Sequence, residues 1–163
     1  MIFQLIVLIL SVIMTSALCS MVEAAMLSLN IVRAKMLLEK GHKNAADLLY
    51  IKEHIHDTVA SIVIINNAIN IIGAFFVGEK VTEIFGHVWL GLSAFIFTLL
   101  VIVFGEVIPK TVGERYKLPM SLFFAKPVRI LVFILSPLVK LILSIEIPLM
   151  KRYKMQMPRV TEE

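Results

Sequence analysis

Charged side chains are scarce in this sequence, and their scarcity excludes an ordinary soluble domain. Asp, Glu, Lys and Arg make up 17% of the 163 residues, whereas 59% are hydrophobic. Soluble domains hold about 25% charged and about 45–50% apolar residues. The apolar excess is gathered in long runs, as in proteins that cross a lipid bilayer. The sequence therefore predicts an all-α integral membrane protein whose first partner is the bilayer.

Cysteine and histidine are too few to suggest a catalytic or soft-metal site. The one cysteine, Cys19, cannot form an internal disulfide, and the four histidines are scattered. His54 and His56 stand two apart, which does not match the helical His-Glu-x-x-His pattern. No nucleophile has an obvious base, and no aromatic residues interleave with basic ones to stack on nucleobases. We therefore expect neither an enzyme nor a nucleic-acid partner.

Three hydrophobic runs predict membrane helices at about residues 1–28, 58–77 and 88–110. A helix crosses the hydrocarbon core in about 20 residues. The first run has no positive charge before it and outlasts a signal peptide, so we expect a retained helix. The polar stretch at 29–57 predicts a helical pair that turns at Gly41, and residues 78–87 predict a short loop.

Basic residues predict the orientation of these helices, because cytoplasmic loops are enriched in Lys and Arg. The loop after the second run carries only Lys80. The stretch after the first run carries five basic residues, namely Arg33, Lys35, Lys40, Lys43 and Lys52. The helical pair is therefore expected in the cytoplasm and the amino terminus outside.

Residues 118–150 allow two interpretations, a fourth span or a belt lying along the membrane surface. The region is apolar but is interrupted by prolines and charges. A fourth crossing would leave Lys151, Arg152, Lys154 and Arg159 outside, against the positive-inside tendency. We therefore predict three spans and a broken amphipathic belt at the cytoplasmic interface, with 151–163 as a cytoplasmic linker.

Two acidic residues, Glu23 and Glu106, lie inside apolar runs. A charge near the bilayer centre costs roughly 2.5–3.5 kcal/mol on insertion scales, so such residues usually serve a function. The alternative is that each caps a helix end or pairs with a nearby cation such as Lys110.

Hydroxyl and amide groups accompany these acids in all three spans. Asn66 and Asn70 are four apart and share a helix face, as do Ser20 and Glu23 at three apart. Oxygen ligands of this kind suit a hard cation such as Mg²⁺, Ca²⁺ or Na⁺. Interhelical hydrogen bonds and a serine bond to its own helix are the alternatives.

Irregular backbone is expected at the end of the third run. Pro109 lacks an N–H, which frees the carbonyl four residues earlier, at Gly105. Non-helical backbone at membrane depth is tolerated where it lines a cavity, so this carbonyl could be a ligand.

The chain resembles the transmembrane (DUF21) domain of the CorC/CNNM magnesium transporters. Three motifs carry the resemblance, in the family's order and at similar spacing. They are Ser20-Met21-Val22-Glu23-Ala24-Ala25 with Ser28-Leu29-Asn30, Asn66-Asn67-Ala68-Ile69-Asn70, and Gly105-Glu106-Val107-Ile108-Pro109-Lys110. Met21 and Ile65 stand where the family often has glycine.

The resemblance implies a homodimer in the inner or plasma membrane that exports Mg²⁺, coupled to Na⁺ entry. It implies that Ser20, Asn66, Asn70 and Glu106 approach a dehydrated Mg²⁺, and the freed Gly105 carbonyl joins them in our prediction. The cavity around them would include Glu23, Ser28, Asn67 and Lys110. Cytoplasmic CBS domains would follow in a longer chain. A magnesium-binding sensor or scaffold that does not transport remains the alternative.

Overall fold

The computed structural model describes the backbone of residues 1–154 and the side chains of residues 1–142. All regular secondary structure within these residues is helical. The elements are α1 (Ile2–Ser28), α2 (Ile31–Glu39), α3 (Ala45–Glu53), α4 (Ile55–Phe85), a 3-10 turn (His87–Trp89), α5 (Leu90–Leu100), a π segment (Val101–Val107), α6 (Ile108–Arg115) and α7 (Lys117–Lys154).

Four helical stretches are long and apolar enough to cross a membrane, judged by length and composition. They are Ile2–Ser28, Ile55–Phe85, His87–Arg115 and Lys117–Ile142. The prediction of an all-helical membrane protein is confirmed for the described residues. The three predicted spans match the first three stretches. The fourth stretch coincides with the predicted belt, whose placement along or across the bilayer stays a prediction.

The second predicted span ends too early. Residues 78–85, predicted as a loop, continue α4, and the chain turns only at Gly86 with φ of 87°. Lys80 and Glu83 explain the extension, because their side chains pair at i and i+3 and support the helix beyond the apolar run. Polar composition in this segment marks the exposed end of a helix and not a break in it.

The predicted breaks in the belt are absent, since α7 is one helix from Lys117 to Lys154. Pro119 lies in the first turn, where a missing N–H costs little. Pro127 and Pro137 have no N–H to donate to the carbonyls of Phe123 and Phe133, four residues earlier. Both phenylalanines are exposed. Residues 151–154 of the predicted linker are still helical, and 155–163 lie outside the described residues.

The predicted helical pair is present as α2 and α3. Asn30 caps α2, because its side-chain oxygen accepts from the Val32 amide at 2.9 Å. The turn begins at Gly41, whose φ of 70° favours glycine. The Asn44 amide then donates to the Leu122 carbonyl at 3.1 Å, which ties this pair to α7.

Two apolar clusters surround a polar level of the bundle. One cluster joins the amino-terminal half of α1 to the carboxyl-terminal part of α4 and to α5, around Val12, Val77 and Phe97. The other joins α2, α3 and α7 around Met26 and Leu48. The predicted residues Ser20, Asn66 and Asn70 lie between these clusters along α1 and α4. The clusters therefore hold the site from both ends.

Close backbone contacts fix how α1 runs against its neighbours. A Cβ atom added to Gly73 would lie 2.6 Å from the Val12 methyl groups. A Cβ atom on Gly113 would lie 2.1 Å from the Met21 carbonyl oxygen, so α1 and α6 touch backbone to backbone. Small residues allow such approaches between membrane helices. Ser16 also contacts Asn66 of α4 and Gly105, which precedes α6. The order of these contacts along the chain shows that α1 is antiparallel to α4 and parallel to α6.

Candidate ion-binding site

A buried hydrogen bond joins α1 to α4 at the centre of the site. The Ser16 hydroxyl donates to Asn66 Oδ1 over 2.9 Å, and both residues are buried. The same serine adjoins the third helix, since a Cβ atom on Gly105 would lie 3.1 Å from Ser16 Oγ. Ser16 therefore lies where α1, α4 and the π segment meet.

Ser16 was not among the residues predicted from the sequence. A serine within a helix by default bonds to its own preceding turn, so its presence alone predicts nothing. The available signal was spacing, because Ser16, Ser20 and Glu23 stand at i, i+4 and i+7 and share one face of α1.

The π segment is the irregular backbone predicted near Gly105. Its characteristic bond runs from the Ile108 amide to the Val103 carbonyl, five residues back. Such segments are rare and occur frequently at functional sites. Compared with an α-helix, the wider turn changes the direction in which Glu106 projects from its helix.

The π register alters which carbonyl Pro109 frees. The Phe104 carbonyl would accept from Ile108 in an α-helix or from residue 109 in a π-helix. Ile108 instead bonds Val103, and Pro109 has no N–H, so Phe104 lacks a helical donor in both registers. The predicted Gly105 carbonyl can still accept from the amide five residues on. Phe104 is therefore the carbonyl that Pro109 leaves without a helical donor, and the Gly105 carbonyl stays a predicted ligand.

Glu106 and Asn70 meet across the interface between the π segment and α4. Asn70 Nδ2 donates to Glu106 Oε1 over 3.4 Å, and both residues are half-buried. The contact orients the amide so that its Oδ1 atom points away from this bond. The structure therefore brings together the predicted ligands Asn66, Asn70, Gly105 and Glu106.

Two oxygen atoms in this region are buried without a hydrogen-bond partner. They are Ser20 Oγ and Asn70 Oδ1. Buried polar groups are nearly always paired, so an unpaired one calls for an explanation such as an ion. Asn70 adjoins the Glu106 carboxylate, and Ser20 lies one turn along α1 from Ser16. Hydroxyl, amide and carboxylate oxygens of this kind suit a hard cation. We call Ser16, Ser20, Asn66, Asn70 and Glu106 the polar layer.

Glu23 lies one turn along α1 from Ser20 and has a different partner. Its carboxylate is 3.6 Å from Lys110 Nζ, and its side chain is only 11% exposed. Lys110 follows Glu106 by four residues on the third helix. The ion pair compensates the charge of Glu23, whereas the contact recorded for Glu106 is to a neutral amide. Glu106 is therefore the carboxylate left to meet a cation.

A family model described as the cyclin M transmembrane N-terminal domain matches residues 5–163. The chain belongs to this family. It is 40% identical over 137 residues to UPF0053 protein sll1254 of Synechocystis, covering 84% of this chain and 40% of that protein. It is 29% identical over 117 residues to a UPF0053 protein of Haemophilus influenzae, covering 72% of this chain and 28% of the relative.

A third relative is the UPF0053 inner membrane protein YfjD of Escherichia coli, 27% identical over 133 residues. The match covers 79% of this chain and 30% of YfjD. This cyclin M domain thus spans less than half the length of these relatives. The matches confirm the family that the three motifs predicted, and they support a multi-pass membrane protein.

The remaining predicted residues of this cyclin M domain lie farther from the polar layer. Asn67 is exposed, and no hydrogen bond to its side chain is recorded within the described part of the chain. Ser28 ends α1, about 12 Å beyond Ser20 at the usual rise per residue. Met21 is half-buried, and its backbone meets Gly113. That Asn67 and Ser28 line the ion cavity stays a prediction.

Proposed function

We propose that the chain carries Mg²⁺ across the cell membrane through the polar layer. The observation that carries the proposal is the buried, unpartnered Asn70 Oδ1 beside the Glu106 carboxylate. A second such oxygen, Ser20 Oγ, lies one turn along α1 from Ser16. Mg²⁺ prefers oxygen ligands in octahedral geometry. Among the described residues no three His, Cys, Asp or Glu side chains gather as a metal site, so hydroxyl and amide groups must contribute.

Charge supports a transported ion over a permanently held one. Glu106 supplies one negative charge, and Glu23 is compensated by Lys110. A dication would therefore be only partly neutralised, which leaves its binding weak enough for release. In this proposal Asn66, Asn70 and Ser20 replace water around the ion, and the Gly105 or Phe104 carbonyl adds a backbone oxygen.

The finer features of the proposal come from the family resemblance. We propose export of Mg²⁺ coupled to Na⁺ entry, by a homodimer in the inner or plasma membrane with the amino terminus outside. Three spans, a cytoplasmic helical pair and the α7 belt would form the domain. CBS domains would belong to the longer protein, consistent with relatives more than twice the matched length.

Transport can be tested with the purified chain in proteoliposomes carrying a magnesium-sensitive dye. We expect Glu106→Gln to abolish Mg²⁺ flux, since it removes the charge that meets the cation. Asn70→Ala should lower flux at least tenfold, because it removes one ligand and the donor that orients Glu106. Glu114→Gln is the matched control, because Glu114 is exposed on α6.

Unchanged flux in both Glu106→Gln and Asn70→Ala would refute the proposed site. Size-exclusion profiles of all variants should match the parent, which separates lost transport from lost folding. Imposing a Na⁺ gradient tests the coupling separately. Flux that ignores the gradient would remove Na⁺ coupling and leave the site intact.

A magnesium-binding sensor that does not transport is the second candidate, because it would need the same ligands. The two functions differ in one observable. A sensor would bind Mg²⁺ by calorimetry in a Glu106-dependent manner, yet proteoliposomes would show no flux above the Glu106→Gln background.

A further inference from the structure

A second polar cavity lies between the start of α4 and the middle of α7. Its volume is about 260 Å³. Val132, Phe133 and Val139 of α7 form its apolar side. Its polar lining consists of Tyr50, His54, Asp57, Ser61, Ser136 and Lys140.

This cavity is separate from the polar layer. Ser61 and Asn66 are five residues apart on α4, so they project about 140° apart at 100° per residue. Asn66 faces α1, where it meets Ser16. Ser61 faces the cavity beside α7. The ion site and this cavity therefore lie on opposite sides of the same helix.

Several polar groups of the cavity lack protein partners. Within residues 1–142, the Asp57 carboxylate, the Ser136 hydroxyl and the Lys140 ammonium have no recorded hydrogen bond or ion pair. His54 Nδ1 lies 3.0 Å from the Tyr50 carbonyl, so Nε2 remains available. A carboxylate, an ammonium, a hydroxyl and one imidazole nitrogen thus line one space without protein partners.

One wall of the cavity is held rigidly before any ligand binds. The Tyr50 ring stacks on His54 with 4.3 Å between ring centroids. The Arg129 guanidinium lies over the Tyr50 ring at 4.7 Å and also pairs with Asp47. The His54 and Tyr50 side chains therefore need little reorganisation, which favours binding.

We propose that this cavity binds the headgroup of a zwitterionic phospholipid with a primary ammonium, of the phosphatidylethanolamine type. Asp57 and the acceptor Nε2 of His54 would receive the ammonium, Lys140 the phosphate, and Ser136 a remaining oxygen. At about 30 Å³ per water, the space exceeds what a single ion needs. A bare anion or cation would also leave either Asp57 or Lys140 unmatched.

The position of the cavity favours a lipid over a soluble ligand. Asp57 lies in the first turn of α4, a helix long and apolar enough to span the membrane, and so near headgroup level. Phe133 at the apolar side is 82% exposed, which provides a surface for acyl chains. A headgroup in the polar lining with chains along Phe133 satisfies both sides of the cavity.

Native mass spectrometry of the purified chain can test this binding. The protein is exchanged into detergent with equal amounts of phosphatidylethanolamine, phosphatidylcholine and phosphatidylglycerol. We expect preferential retention of phosphatidylethanolamine. Asp57→Asn should reduce its preference over phosphatidylcholine by roughly tenfold or more, because a charge-assisted hydrogen bond to the primary ammonium is lost. Lys140→Gln should weaken both lipids alike.

Glu53→Gln and Lys126→Gln are the matched controls, since both residues are exposed and neither lines the cavity. If the parent chain retained the three lipids equally, this result alone would overturn the proposal, before any variant is measured. It would also fail if the controls changed the lipid preference as much as Asp57→Asn. Displacement of the lipid by millimolar inorganic phosphate alone would indicate an anion site instead.

Discussion

At the scale of single residues, Gly113 controls how closely α1 approaches α6. A Cβ atom there would lie 2.1 Å from the Met21 carbonyl oxygen, a backbone atom that cannot rotate away. Gly91 offers a contrast, because nothing lies within 4 Å of a Cβ atom at that helical position. An alanine substitution should therefore destabilise the protein at Gly113 but not at Gly91.

We expect Gly113→Ala to lower the free energy of unfolding by about 1–3 kcal/mol, as overpacking does. Gly91→Ala should leave it unchanged or raise it by up to about 1 kcal/mol through helix propensity. Denaturation in mixed detergent micelles, followed by circular dichroism, measures both. Equal losses in the two variants would show that the α1–α6 contact is looser than the structure indicates.

At the scale of elements, the helical pair is fastened to the end of α1 by Lys52. Its ammonium donates to the Met26 carbonyl over 2.9 Å, near the carboxyl-terminal end of α1. Burial lowers the pKa of Lys52 below its ordinary value of 10.5. The folded chain therefore loses this proton at a lower pH than the unfolded chain does.

The sign of the resulting pH dependence follows from proton binding. Between the lowered pKa and pH 10.5 the unfolded state holds more protons, so this residue's contribution to stability rises with pH. Below that window the contribution is constant. Stability of the parent relative to Lys52→Met should therefore increase as pH is raised toward 10.5 in unfolding titrations. A relative decrease over the same window would contradict the desolvation of Lys52.

The sequence predicts which helices are present better than it predicts their hydrogen-bond register and where they end. Gly105 and Pro109 predicted irregular backbone because both residues are visible as helix disruptors. The π register itself was not predictable, since it depends on how Gly105 packs against Ser16 of another helix. The end of α4 was misjudged for a related reason, because a Lys80–Glu83 pair stabilises helix where composition alone indicates a loop.

At the scale of the whole molecule, contacts of α7 bear on whether it crosses the bilayer. Arg129 follows Lys117 by twelve residues, which is about 18 Å along a helix. A crossing helix would place Arg129 past the middle of a hydrocarbon core about 30 Å thick. Arg129 pairs with Asp47, which belongs to the polar helical pair, so both charges would have to enter the core. This cost is the physical reason for which we propose α7 as a belt, and whether the protein has three spans or four stays a prediction.

Cysteine labelling distinguishes three spans from four. In a Cys19→Ser background, Lys43→Cys, His87→Cys and Glu162→Cys place single thiols after the first, second and last membrane segments. A belt predicts that a membrane-impermeant maleimide labels positions 43 and 162 from the cytoplasmic side and position 87 from the other side. A fourth crossing would instead put position 162 with position 87. Labelling of all three thiols in detergent is the control, because it shows that each one is reactive once the membrane barrier is removed.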